Sequence, residues 1–581
     1  MTTTTDHPSS TAPDRLEVER AATDVPSPAA APAAAAPAAP SAGRPSVTGF
    51  LRGLAGALVQ PGPVVRELGQ VAGDLARIVR GTEDLRPHAK DKRFLDPAWT
   101  DNPLYRRLGQ GYVATTASLV RLVDEMERRG ADWHDVERAR FAVNALVAAL
   151  APTNGLAGNP AALKRAFDTG GRSVLTGLGH LVGDLRHNAG MPTQTDRSAY
   201  TVGVDLALTP GAVVDRDEVA ELLQYQPTTS SVRQRPLVII PPPIGRYYFL
   251  DLRPGRSFME YAVSQGLQVF VLSWRNPGTE HADWDLDTYA ARIERALQVV
   301  KNITGSEDVN TLGFCAGGIL QTTVLNHQAA TGDRSIHSAA YGVTLLDFGI
   351  RAPIGAFSAA PLLSLAKGIS RRSGVLSARS LGTIFNWMRP DDLVFNYVVN
   401  NWLMGNEPPV FDILAWNADG TNLPARLHEQ FLAIFRDNDL CRPGAVTVLG
   451  SPVDLSRITV PTFVTAGITD HLTPWLGCYR TTTALSGPST FVLSNAGHIA
   501  SLVNPPGNAK ASFYAGGPEG ADPQEWLAGA TQQTGSWWEV WAKWELERSG
   551  PERPAPKILG SRAFPVLEAA PGSYVLDRQP A

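Results

Sequence analysis

Residues 313–318 read Gly-Phe-Cys-Ala-Gly-Gly, and this short stretch restricts the fold more than any other in the chain. Before it, Val309-Asn310-Thr311-Leu312 has the composition of a short strand; after it, Gly318 to Leu325 reads as the opening of a helix. A strand that runs straight into a helix needs a sharp turn, and glycines flanking Cys315 let the backbone make one. A side chain at such a turn stands exposed at the end of a sheet, with the next backbone N–H free to bind an oxyanion. A thiol in that place suits acyl transfer through a thioester. A glycine-flanked cysteine is equally compatible with a small residue at a tight packing point, so the rest of the chain has to decide.

A nucleophile on such a turn is followed in chain order by its acid and its histidine, on loops after late strands. Two late strands are present. Pro461 to Gly467 leads into Ile468-Thr469-Asp470-His471, and Ser489 to Leu493 leads into Ser494-Asn495-Ala496-Gly497-His498. Of the eleven histidines, His498 follows both a strand and a glycine where the base belongs. His471 is its competitor, with capping or packing of its own loop as the other reading. Asp347, after the strand Gly342 to Leu346, is the rival acid, one strand early. Cys315, Asp470 and His498 form the candidate triad: the imidazole takes the thiol proton, and the carboxylate fixes its tautomer and stabilises its charged form.

These features predict an α/β-hydrolase fold over 201–581, with a lid or cap insertion at about 348–450 that carries Phe385, Trp387, Phe395, Tyr397, Trp402, Phe411 and Trp416. The insertion's own core accounts for most of those aromatics; a few would line an apolar, water-excluding passage for acyl chains. Residues 46–200 are helical in period, with breaks at Pro152 and Asn159-Pro160, and predict a separate domain. Residues 1–45, almost wholly Ala and Pro from Ala29 to Pro40, predict a disordered tail without the pattern of a signal peptide. Trp526, Trp537, Trp538, Trp541 and Trp544 fall on a helical stretch where core packing is the expected role.

A hydrophobic content of 43% over 581 residues supports a large core, and three cysteines are too few for a disulfide framework, so Cys441 and Cys478 are expected to be passive. A net charge of −4 argues against nucleic acid as a partner. No CxxC, HExxH or His/Cys cluster is present, so neither a metal nor a cofactor is expected. No run of about 18 apolar residues predicts a membrane span.

Beyond the cysteine box, the chain carries Pro241-Pro242-Pro243-Ile244, Tyr247-Tyr248, Leu250-Asp251-Leu252, Ser273-Trp274-Arg275-Asn276-Pro277 and Met388-Arg389-Pro390. Asn396-Tyr397, Asn400-Asn401, Trp416-Asn417-Ala418-Asp419, Asp470-His471-Leu472-Thr473-Pro474-Trp475 and Gly497-His498-Ile499 follow in order. With these motifs the chain resembles the polyhydroxyalkanoate synthases of the long, single-polypeptide type over residues 90 to 575. The resemblance implies polymerisation of (R)-3-hydroxyacyl-CoA with release of CoA, the growing ester chain being carried on Cys315. His498 would activate the thiol, and either His498 or Asp470 would deprotonate the incoming 3-hydroxyl. It also implies a cytoplasmic enzyme at the polymer granule surface, a homodimer, and granule-associated proteins as partners.

The oxyanion would take one bond from the N–H of Ala316. The second donor belongs to the loop after Leu237–Ile240, where three prolines supply none; Ile244 is the candidate and Gly245, which stands where the family usually has asparagine, comes next. Two other function classes share these features: a thioesterase or esterase, which would release one free acid per CoA, and a granule-binding protein without catalysis. The motifs do not separate short-chain from medium-chain substrates.

Overall fold

The computed structural model describes residues 61–351, 360–520 and 522–577. The Ala/Pro-rich tail, the first part of the expected helical domain and residues 352–359 of the expected insertion lie outside the described residues.

Leu237–Ile240, Val309–Phe314 and Thr462–Gly467 are short runs without an exposed residue, the pattern of parallel strands covered on both faces. They belong to an eleven-stranded sheet. In chain order its strands are β1 (Gly211–Arg216), β2 (Ala220–Tyr225), β3 (Leu237–Ile240), β4 (Val269–Trp274), β5 (Val309–Phe314), β6 (Ile336–Gly342), β7 (Thr462–Gly467), β8 (Ser489–Ser494), β9 (Ser512–Ala515), β10 (Thr531–Thr534) and β11 (Glu568–Ala569). They lie in the order β10-β9-β8-β7-β6-β5-β3-β4-β2-β1-β11. The six from β4 to β8 in the middle run parallel, and antiparallel strands flank them on both sides.

Register decides where the site forms. Ile240 at the end of β3 pairs with Gly313 near the end of β5, and Gly467 at the end of β7 pairs with Ser494 at the end of β8. The loops carrying Ile244, Cys315, Asp470 and His498 therefore leave one edge of the sheet together, the edge where open α/β sheets hold their ligands. One core fills each face of the sheet. The first is built from helices Leu286–Thr304 and Ala316–Thr331 with Leu427, Phe431 and Ile434. The second is built from helix Phe258–Ser264 and the tryptophan-rich helix Trp537–Leu546.

The tryptophans of that last helix are buried and pack, as the sequence predicts, but two of them also carry a positional duty. Trp537 Nε1 donates to Ser501 O at 2.6 Å and Trp538 Nε1 to Leu502 O at 3.2 Å. Both carbonyls end the short helix that begins at His498. Trp537→Ala removes a fully buried indole and this anchor, and is expected to cost about 3–5 kcal/mol, measurable as a lowered urea midpoint.

The chain leaves the sheet after β6 and returns at β7, and the intervening insertion is mostly helical, including Ala378–Met388, Asp412–Asn417 and Ala425–Asp437. Two π-helical turns, Asp391–Phe395 and Val398–Leu403, lie within it. The helices Pro61–Arg80, Pro103–Arg128, Trp133–Ala149, Pro160–Asp168 and Arg172–His187 precede the sheet. Asn159-Pro160, read in the sequence as a break, is the side-chain cap and first residue of a helix.

These early helices pack directly on the insertion. Trp402 Nε1 donates to Asp184 at 2.7 Å, Gln194 bonds Asn386 at 3.1 Å, and Arg93 pairs with Asp391 at 2.7 Å. At Gly177 the backbones come so close that a Cβ would lie 2.0 Å from the Trp402 carbonyl oxygen. Of the other aromatics singled out from the sequence, Trp387 and Phe395 meet edge to face. Trp416 packs on Phe249, Tyr397 is buried, and Phe411 lies partly exposed beneath the Arg256 guanidinium.

Candidate active site

Cys315 has φ 49° and ψ −124°, a left-handed backbone that costs a non-glycine residue about 1–3 kcal/mol unless its surroundings hold it. They do. Its N–H donates to Gly342 O at 2.9 Å, and its carbonyl accepts from Gly318 N at 3.0 Å and from Thr344 Oγ1 at 3.1 Å. The glycines around it are required by close approach rather than by φ. A Cβ on Gly313 would lie 2.6 Å from Gly318 Cα, and one on Gly318 would lie 2.3 Å from Thr344 Oγ1. A Cβ on Gly317 would lie 2.2 Å from Ile240 O, a backbone atom that cannot rotate away. Gly317→Ala is therefore expected to push the elbow off β3 and lower turnover at least about 10²-fold, as a displacement of 1 Å does; steady-state turnover checks it.

Asp470 lies in the turn after β7, where the backbone N–H groups of Leu472 and Thr473 donate to its Oδ1 at 2.8 and 3.0 Å. Its Oδ2 accepts from Thr473 Oγ1 at 2.7 Å and meets His498 Nδ1 at 2.7 Å. The Cys315 thiol lies near enough to the same imidazole to act on it electrostatically. With Nδ1 committed to Asp470, the other ring nitrogen is the one left for sulfur. Burial alone would lower the His498 pKa, but the Asp470 charge, its hydrogen bond and the Cys315 thiol outweigh it and raise it to about 10. Burial pushes Asp470 up, while the His498 charge, its hydrogen bond and the Thr473 bonds pull harder, so its pKa ends below the usual range.

The structure thus sets His498 against Asp470 and near Cys315, and gives neither rival that place. Asp347 accepts from Asn438 Nδ2 at 2.8 Å and pairs with Arg480 at 3.0 Å. His471 makes no bond through its buried Nδ1, and burial together with Arg389 lowers its pKa to about 4. Burial raises the Cys441 thiol to about 12 and Cys478 well above the ordinary thiol value. Among the described residues no group of three or more His, Cys, Asp or Glu is arranged to hold a metal ion, and no helix is long and apolar enough to cross a membrane.

Ile244 follows the three prolines after β3, and the Gly317 contact with Ile240 and Pro241 brings this loop against the elbow. Trp274 Nε1 holds Pro241 O at 2.8 Å, Thr421 Oγ1 holds Pro243 O at 2.9 Å, and Trp416 Nε1 holds Arg246 O at 2.8 Å. Among the described residues neither Ile244 N–H nor Ala316 N–H has an acceptor, as an oxyanion site requires before substrate arrives. Sequence reasoning passed over Thr473, although its place three residues after Asp470 is the spacing of a side-chain-capped turn. It also passed over Thr344, which no local signal marks.

A parallel sheet with its loops gathered at one edge, and a glycine-lined elbow between strand and helix, define an α/β-hydrolase-fold protein. Residues 254–505 match the alpha/beta hydrolase fold, and residues 90–262 match the family described as Poly-beta-hydroxybutyrate polymerase (PhaC) N-terminus. The chain is 43% identical over 522 residues to poly(3-hydroxyalkanoate) polymerase 1 of Ectopseudomonas oleovorans, an alignment covering 90% of this chain and 93% of that protein. It is 44% identical over 509 residues to polymerase 2 of the same organism, covering 87% and 90%. With the poly(3-hydroxyalkanoate) polymerase subunit PhaC of Cupriavidus necator it shares 39% over 492 residues, covering 84% and 83%. The chain belongs to the poly(3-hydroxyalkanoate) polymerase family, and is an acyltransferase.

Proposed function

We propose that this enzyme polymerises (R)-3-hydroxyacyl groups from CoA thioesters, carrying the growing ester chain as a thioester on Cys315. The observation that supports this reading is the single imidazole that bonds a buried carboxylate and lies within electrostatic reach of the elbow thiol. In the first half-reaction His498 already holds the thiol proton as an imidazolium, sulfur attacks the acyl carbonyl, and the oxyanion takes the free N–H groups of Ala316 and Ile244. The carbonyl re-forms, the bond to CoA breaks, and the His498 imidazolium returns its proton to the departing CoA thiolate. In the second, the 3-hydroxyl of the next unit attacks the thioester and gives its proton to His498, or to Asp470. An ester bond forms, the bond to Cys315 breaks and its sulfur takes back the proton, and the lengthened chain, now a CoA thioester, re-acylates Cys315 through the first half-reaction. Exchange of one thioester for another is nearly balanced, so ester formation drives elongation.

Water would end the chain as a free acid, and the insertion between β6 and β7 is suited to excluding it. Family membership and the exposed apolar side chains Leu175, Leu178 and Leu185 on helix Arg172–His187 support work at a polymer granule, and a second copy of the chain is the other partner this face suits. The reading is tested by following CoA release from (R)-3-hydroxybutyryl-CoA and (R)-3-hydroxyoctanoyl-CoA while sizing the product. Polymer is the expected product; one free acid per CoA would make the protein a thioesterase instead.

A further inference from the structure

We propose that Arg246 and the C-terminal segment it grips are positioning elements for the oxyanion loop, an inference that rests on the reading of Cys315 as nucleophile and Ile244 as donor. Arg246 stands two residues after Ile244 and is only 3% exposed. A guanidinium taken out of water has to be hydrogen-bonded, and both terminal nitrogens of this one donate to backbone carbonyls from the far end of the chain. Nη1 donates to Tyr574 O at 2.7 Å, and Nη2 donates to Asp577 O. Its own carbonyl receives the Trp416 indole N–H from the insertion. One loop residue thereby joins the oxyanion loop, the insertion and the C-terminal segment.

The C-terminal segment is itself secured. Glu221 on β2, fully buried and paired with Arg216, accepts from Ser573 N at 3.2 Å, Ser573 Oγ at 3.0 Å and Tyr574 N at 3.1 Å. Tyr574 Oη donates to Asp217 O at 2.6 Å, and the Arg275 guanidinium lies 4.7 Å from the Tyr574 ring centre. A grip this complete gives Arg246 fixed acceptors.

The loop needs such a grip on one side only. Pro241, Pro242 and Pro243 have their φ set by their rings, so most of the loop's freedom falls at Ile244 and Gly245, and Gly245 has no side chain to restrain it. Gly245 is bridged by its backbone to Gly420, and Arg246, immediately beyond, is the first side chain that ties the Ile244–Gly245 peptide to the C-terminal segment. An oxyanion donor moved from its place is worth about as little as one removed.

Two reactions of the full-length enzyme separate positioning from general support. Acylation of Cys315 by (R)-3-hydroxybutyryl-CoA passes through an oxyanion; alkylation of Cys315 by iodoacetamide does not, and needs only the activated thiol. In Arg246→Met, and in a chain ending at Ser573, single-turnover acylation is expected to fall about 10²-fold while alkylation stays within about twofold. Arg246→Lys, which keeps the charge and one bond, is expected to recover part of the loss. If Arg246→Met does not fold, the Lys variant and the shortened chain decide by the same two rates. Equal losses in both reactions, or unchanged acylation, overturn the proposal. A wild type alkylated at Cys315 but never acylated there overturns the nucleophile reading, and this proposal with it.

Discussion

Cys315→Ala is expected to lower CoA release by about 10⁵-fold, since removing the nucleophile from residues that act as a unit costs about as much as removing all of them. The fold should survive. The residue keeps its Cβ, and the bonds that hold its left-handed backbone run through Gly342, Gly318 and Thr344 rather than through sulfur. Thermal unfolding is therefore expected to change little while turnover collapses, and the two measurements together separate lost chemistry from lost structure. Cys315→Ser is the informative companion. A serine ester has no thioester to spend on ester formation, so this variant should acylate slowly and elongate hardly at all, leaving short chains bound to protein.

Asp470→Asn is expected to lower turnover by about 10³–10⁴-fold, the range seen when the acid of such a triad loses its charge. The Asp470 charge is what keeps the buried His498 imidazole protonated to about 10 against the cost of burial. Without it burial prevails and the histidine loses its proton at lower pH. For the wild type, an imidazolium able to protonate departing CoA persists up to about pH 10, so the alkaline limb of the rate profile should lie near there. In Asp470→Asn that limb should move to lower pH. The same sign governs stability: a raised histidine pKa contributes fully below the unfolded value of about 6.5 and is lost as pH climbs through 10. Asp347→Ala is the control, because it removes a partner of Arg480 and Asn438 and should cost stability without shifting the profile. Intact turnover in Asp470→Asn beside lost turnover in Asp347→Ala would reverse the assignment of the acid.

The elbow was legible in the sequence because its constraint is local: strand, glycine, nucleophile, glycine and helix occupy neighbouring positions, and each glycine faces an atom that forbids a Cβ. Asp470 and His498 were legible because short buried strands announce themselves by composition, and the loops that follow parallel strands share one edge. What escaped depends on residues far apart in the chain. Trp537 and Trp538 advertise only a core, and nothing in their spacing says that their indole N–H groups end the helix of His498. Trp402 reads as one aromatic among several, although it is one of the points where the early helices meet the insertion. Arg246 is a single basic residue in a loop, and its acceptors lie more than three hundred positions away. Asn159-Pro160 was misread as a break because a cap and a breaker use the same residues, and only the helix that follows tells them apart.

The central claim, a growing chain held on Cys315, is tested most directly by a single turnover. The enzyme is mixed with less than one equivalent of (R)-3-hydroxybutyryl-CoA, quenched in acid, digested, and its peptides weighed. The account predicts a hydroxybutyryl group on the Cys315 peptide, removable by neutral hydroxylamine and absent from Cys315→Ala. CoA released in full with the Cys315 peptide unmodified, or an acyl group found on another residue, would contradict it.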